Sequence, residues 1–270
     1  MTKRRINTIH RAPRAPSCQP PLLFVHGGYV GANCWDLHFL PYFAALGYDC
    51  TALDLSGHGQ SEGREQIHSF GLDDYLADVI QIIEGFEQKP ILLGHSMGAV
   101  IAERVFEQSL AVAGVLISPV PPSGTWGSAT NLALKHPRFF GEINNVTRGR
   151  YNEGSLSLMR DIYFSPEMEP KALLQFAELI QPESQRALAD LLMLGGRFPR
   201  RLPELPILVM GGELDVVFPP DVIRYVALRW HADLEILPDM GHMLMLDRQW
   251  KVAAERIVGW LRQVNEASEG

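Results

Sequence analysis

The chain has 270 residues, 46% hydrophobic and 20% charged, which suits one sizeable core or a core with an inserted lobe and excludes disordered and fibrous classes. A formal net charge of -7 with interspersed signs offers no basic stripe to a nucleic-acid backbone. Cys18, Cys34 and Cys50 are too few and too irregularly spaced for a disulfide framework or a zinc site, so a reducing, cytoplasmic setting is expected.

In chain order, the basic start Lys3-Arg4-Arg5 continues as Ile6-Asn7-Thr8-Ile9-His10 without the apolar segment a secretory signal needs. No apolar run reaches the roughly 20 residues that span a bilayer, so no integral membrane segment is expected. Leu22 to Val25 is a short continuous apolar run that ends in His26-Gly27-Gly28-Tyr29. The same format recurs at Cys50 to Leu55, Ile91 to Leu93, Val112 to Ile117 and Ile207 to Met210, and such runs read as buried parallel strands. Helical spacing falls between them, at Leu72, Tyr75, Leu76, Val79, Ile80 and Ile83, and after them at Trp250, Ala253, Ile257, Trp260 and Leu261. Alternating strands and helices predict an α/β fold with helices on both faces of the sheet, whose functional groups gather at the carboxyl ends of the strands.

The alternation breaks from Pro121 to Arg201, where aromatic and Met residues (Trp126, Phe139, Phe140, Met159, Tyr163, Phe164, Met168, Phe176, Met193) accompany helical signals. Residues 1–120 and 202–270 are therefore expected to form the core, and 121–201 a helical cap inserted between two strands. Most of its apolar side chains are needed to hold it to the core, and the remainder line any cavity beneath it.

Gly94-His95-Ser96-Met97-Gly98 sets a serine between glycines where an apolar strand run meets a helix-compatible one. On a tight strand-to-helix turn such a serine is a candidate nucleophile, with Gly94 and Gly98 small because a side chain there would strike strand or helix backbone. Met97 then offers its N–H at the helix start to a developing oxyanion. The plainer reading is a glycine-punctuated turn, and partners for Ser96 decide between the two.

Nine histidines compete for the role of base. His95 adjoins the serine and should point away from it; His26 and His58 lie in glycine loops after strands and read as braces; His10, His38, His68, His136 and His231 have no such setting. His242 follows the last predicted strand, Leu234 to Leu237, on the loop Pro238-Asp239-Met240-Gly241, which returns it to the strand-end face. Asp215, in Gly211-Gly212-Glu213-Leu214-Asp215, is the candidate acid that orients it, with Glu213 as the alternative. Asp54 is expected to hydrogen-bond its own glycine loop. Gly28 is the candidate second oxyanion donor, with Tyr29 after it. Candidate substrate contacts are Tyr29 beside Gly28, Trp126 at the start of the lobe and Met243 beside His242; no metal ligand set is apparent.

With Ser96, Asp215 and His242 in that order, the sequence resembles the α/β-hydrolase superfamily. The likeness runs from about Pro20 to the final helix and is carried by His26-Gly27-Gly28, Asp54-Leu55-Ser56-Gly57-His58-Gly59-Gln60-Ser61, Gly94 to Gly98, Gly212 to Asp215 and Gly241-His242. It implies a mainly parallel sheet of about eight strands, a helical cap, no cofactor and acyl transfer through an acyl-enzyme. Only Arg5 to Ala12 is available for the two strands that usually precede Leu22. Haloalkane dehalogenases and epoxide hydrolases carry aspartate where this chain has Ser96, and the glycine motifs look most like bacterial serine esterases and lysophospholipase- or monoglyceride-lipase-like enzymes. The expectation is a carboxylic-ester hydrolase acting on a small molecule with an apolar acyl group. The same triad also serves carbon–carbon bond hydrolases, enol-lactonases and thioesterases, and the fold hosts lyases and ligand receptors of low turnover.

Overall fold

The structure, a computed structural model, describes residues 3–15, 19–192, 194 and 204–269. Cys18, Met193 and the expected end of the insert at residue 201 lie outside the described residues.

Seven described strands form one sheet: β1 (Thr8–Arg11), β2 (Leu22–Val25), β3 (Cys50–Leu53), β4 (Ile91–His95), β5 (Ala113–Ile117), β6 (Ile207–Gly212) and β7 (Asp233–Leu237), ordered β1-β3-β2-β4-β5-β6-β7. β1 runs antiparallel to β3, and every other pairing is parallel. Where the resemblance implies about eight strands, the described residues before Leu22 supply β1 alone. β2 to β6 are buried along their whole length, as their unbroken apolar runs require, whereas the edge strand β7 has two exposed residues.

Helices α1 (Asn33–Asp36) and α2 (Phe39–Ala45) link β2 to β3; a 3-10 turn at Arg64–Ser69 and α3 (Leu72–Ile83) link β3 to β4; α4 (Met97–Phe106) links β4 to β5. Between β5 and β6 the elements of the described chain are all helices: α5 (Trp126–Lys135), α6 (Phe139–Val146), α7 (Glu153–Tyr163), α8 (Pro170–Leu179) and α9 (Gln185–Leu192). α10 (Pro220–Trp230) precedes β7, and α11 (Trp250–Glu269) ends the chain. None of the described helices is long and apolar enough to cross a membrane.

Strand alternation splits the core into two layers. Leu22, Phe24, Leu93, Val115 and Met210 face a cluster that includes α1, α2, α11 and the insert residues Leu132, Phe139, Ile143 and Phe176. Leu23, Val25, Leu92, Leu116 and Val209 face the opposite cluster with α3, α4 and α10. The register sets Val25 beside Gly94, His95 beside Ile117 and Ile117 beside Met210, so the loops leaving β2, β4, β5 and β6 emerge on one edge of the sheet. Every candidate site residue of the core follows one of these strands or β7.

Candidate active site

Ser96 lies between β4 and α4 with φ 52 and ψ -114, a left-handed conformation that is strained for any residue with a Cβ and persists where its surroundings fix it. The surroundings are backbone. A Cβ on Gly94 would stand 2.5 Å from Gly98 O, and one on Gly98 would stand 2.5 Å from His26 O and press on Val25 O. Ser96 N–H donates to Ile117 O at 3.0 Å, tying the turn to the exit of β5. Met97 is the first residue of α4, where the N–H has no partner within the helix and lies at the positive end of its dipole.

The structure brings His242 and Asp215 together and leaves Glu213 exposed. His242 Nδ1–H donates to Asp215 Oδ2 at 2.8 Å, which leaves Nε2 of the ring as an acceptor. Asp215 Oδ1 in turn accepts the N–H groups of Val217 and Phe218, both at 2.8 Å. Both residues are buried, and Phe218 and Tyr163 pack around the imidazole with ring centroids 5.5 and 6.1 Å away. The loops carrying the two residues touch: a Cβ on Gly212 would collide with the carbonyls of Met240 and Gly241.

His95 does not point away from the turn as expected. Its ring lies 4.8 Å from that of His242, and Nε2–H donates to the His242 carbonyl at 3.1 Å. Burial, then the neighbouring His242, holds its pKa well below the ordinary value, so the ring is neutral. Nδ1 has no hydrogen-bond partner among the described residues and faces Gly27, where a Cβ would stand 2.6 Å away. Ser118 Oγ donates to the same His242 carbonyl at 3.1 Å. His26 and His58 are braces, as expected. His26 Nδ1–H donates to Gly27 O at 2.8 Å, and Nε2 accepts Leu55 N–H at 3.1 Å. Burial and then the nearby His58 lower its pKa to about 4. Asp54 accepts Gln60 N–H of its own glycine loop, together with Ala32 N–H and Asn7 Nδ2.

Gly28, Tyr29, Ser96, Met97, His242 and Met243 all border one cavity of about 270 Å³ under the helical insert, whose walls include Leu132, Phe139, Ile143, Tyr163 and Phe176. No Asp, Glu, Lys or Arg is among the described residues lining it. The Gly28 N–H has no acceptor among the described residues, whereas the Tyr29 N–H is engaged by Glu183 Oε2 at 3.1 Å and is not free to meet a ligand. Burial, then Glu183, pushes the Tyr29 phenol up to about 12.

The sequence model of the alpha/beta hydrolase family matches residues 22–256. The chain belongs to the alpha/beta hydrolase family. A relative from Mycobacterium tuberculosis named "Putative non-heme bromoperoxidase BpoC" is 28% identical over 254 residues, covering 84% of this chain and 88% of that protein. Among solved structures, an esterase from Exiguobacterium antarcticum superposes with a TM-score of 0.74 at 18% identity, covering 96% of both chains. A monoacylglycerol lipase from Paleococcus ferrophilus superposes at 0.68 and 19% identity, covering 96% of this chain and 98% of that one. These superpositions bear on the fold.

One candidate substrate contact of this alpha/beta hydrolase needs amendment. Trp126 is 69% exposed and does not border the cavity. Its neighbours Thr125, Ser128, Ala129 and Leu132 recur at helical spacing and claim the inward side of α5, which turns Trp126 outward. Three buried polar residues absent from the candidates, Glu183, Ser118 and Asp247, also hold the loops of the site. Asp247, fully buried, accepts Gly241 N–H at 3.1 Å and Ser165 N–H at 2.8 Å, joining the His242 loop to the insert. None of the three sits in a motif, and each acts through a partner distant in sequence.

Proposed function

We propose that this chain, an enzyme of the alpha/beta hydrolase family, is a serine hydrolase that cleaves carboxylic esters through an acyl-enzyme. One observation carries the reading: Ser96, on a strained turn at a helix N-terminus, borders the same cavity as a buried imidazole whose far nitrogen is held by a carboxylate. Ser96 Oγ attacks the acyl carbonyl carbon, and its proton passes to His242 Nε2. The carbonyl oxygen becomes an oxyanion accepted by the N–H groups of Gly28 and Met97, donors worth about 3 to 4 kcal/mol each in a water-poor site. Collapse expels the alcohol, which takes the proton from His242. Water then attacks the acyl-enzyme with His242 as its base and frees the acid and Ser96. Asp215 keeps the proton on Nδ1 throughout, so that Nε2 is the nitrogen that takes up and returns each proton.

The uncharged cavity walls favour a small-molecule ester with an apolar acyl or alkoxy group, because a charge desolvated there would find no partner. Turnover of p-nitrophenyl esters by the wild type and Ser96→Ala tests the reading, with a loss of at least about 10³-fold expected in the variant. Unchanged turnover overturns it, and a parallel panel of thioesters, enol-lactones and diketones separates ester hydrolysis from the other bonds this triad can break.

A further inference from the structure

The loop that offers the Gly28 N–H is held from the helical insert. Tyr29 has φ 66, a conformation that costs a residue with a Cβ about 1–3 kcal/mol and needs external support. Both of its backbone polar groups are taken by residues 181–183: Gln181 N–H donates to Tyr29 O at 2.8 Å, and Tyr29 N–H donates to Glu183 Oε2 at 3.1 Å. The Tyr29 N–H belongs to the same peptide unit as the Gly28 carbonyl, so fixing it fixes ψ of Gly28 and the aim of the adjoining Gly28 N–H. Glycine at 28 has little conformational preference of its own to do this.

Glu183 is well anchored for the task. Its fully buried carboxylate also accepts His58 Nε2–H at Oε2 (3.1 Å), and the Tyr75 hydroxyl (3.1 Å) and Ser184 N–H (2.6 Å) at Oε1. Burial raises its pKa, but His58 and these donors outweigh it and hold the carboxyl below the ordinary glutamate range. A Cβ on Gly28 would come within 3.5 Å of Oε2, so the carboxylate lies directly against the donor loop.

The geometry points to Glu183 as a positioning residue that, from the insert, sets the Gly28–Tyr29 peptide, so that the oxyanion hole is complete only while residues 181–183 are docked on the core. This rests on the reading of Ser96 as nucleophile and Gly28 as oxyanion donor given above. The test uses the full chain and measures Ser96 labelling by a fluorophosphonate probe, whose P=O oxygen occupies the oxyanion hole, alongside kcat and KM for p-nitrophenyl butyrate. Glu183→Met keeps the volume but removes the acceptor, and Tyr75→Phe removes a donor to Oε1 while leaving Oε2 with Tyr29. Glu183→Met is expected to lower the labelling rate and kcat at least about tenfold, since a misplacement of about 1 Å can cost about 100-fold, with KM within about threefold. Tyr75→Phe is expected to keep both rates within about threefold of wild type. If Glu183→Met does not fold, Glu183→Asp, which draws the carboxylate back by one methylene, carries the same comparison. A variant labelled at the wild-type rate overturns the positioning role, as does an equal loss in Tyr75→Phe, which would mean general loosening. A wild type that is not labelled overturns the nucleophile reading first, and the positioning role with it.

Discussion

Gly98 and Ser96 are two ends of one steric constraint. The first turn of α4 lies so close to the exit of β2 that a Cβ at 98 would strike the carbonyls of Val25 and His26, and neither can yield without moving the strand. That closeness forces Ser96 into φ 52 and sets Met97 N–H beside it. Gly98→Ala should therefore cost stability and function together: about 2 kcal/mol from overpacking, read in denaturant unfolding, and a fall of about tenfold or more in fluorophosphonate labelling as Ser96 is displaced. Loss of stability with unchanged labelling would separate the turn's shape from its chemistry. Gly94 was legible in sequence because its reason is local, a strand and a helix meeting within five residues, and Gly98 because it completes the same turn although the carbonyls it must clear belong to β2 and the residue after it. Glu183 was not, because its role depends on Tyr29, His58 and Tyr75, each more than a hundred residues away, and Gln181-Pro182-Glu183-Ser184 reads as an ordinary polar connection.

At the scale of elements, strands and insert were unequally legible. Buried parallel strands are apolar on both faces, so β2 to β6 stand out as continuous runs, and the helices α3 and α11 as periodic ones. The insert helices are short and amphipathic toward two different surroundings, the core and the cavity, so their apolar residues signal burial without saying which. Trp126 shows the cost: apolar and first in its helix, it faces outward while Ala129 faces the cavity. This predicts where acyl size is decided. Ala129→Phe projects a ring from α5 into the cavity that Ser96 also borders. It should lower kcat/KM for p-nitrophenyl octanoate about tenfold or more while leaving the acetate within about threefold, since each excluded methylene forfeits roughly 1–3 kcal/mol of binding. Equal losses on both esters would place the acyl chain elsewhere.

Across the whole molecule, the Gly28–Tyr29 loop and the His242 loop, the two proposed to serve Ser96, are each shared between sheet and insert. Residues 181–183 hold Tyr29, and Asp247 with Ser165 holds the His242 loop, whose Gly241 leaves no room for a Cβ against the Phe164 backbone. Burying these junctions means burying histidines, and that has a consequence for pH. His26 has a pKa of about 4 in the fold against 6.5 free, and His95 is lowered in the same direction, burial being the largest cause in both. Between those values the unfolded chain binds protons that the folded one refuses, so the stability these rings contribute is complete above about pH 6.5 and falls as the pH drops toward 4. For His26 the loss by pH 5 is about 2 kcal/mol, and His95 adds to it. Glu183, held below its ordinary value against the effect of burial, adds a further loss nearer pH 4. Asp78, which burial pushes above its ordinary value, opposes it there because a raised carboxyl stabilises the fold on the acid side. Urea unfolding at intervals from pH 7.5 to 4.5 should thus show a midpoint that is flat above pH 7 and declines steadily below 6.5, before most carboxylates titrate. A midpoint unchanged between pH 7 and 5 would mean that the buried histidines accept protons in the folded state as readily as in the unfolded chain.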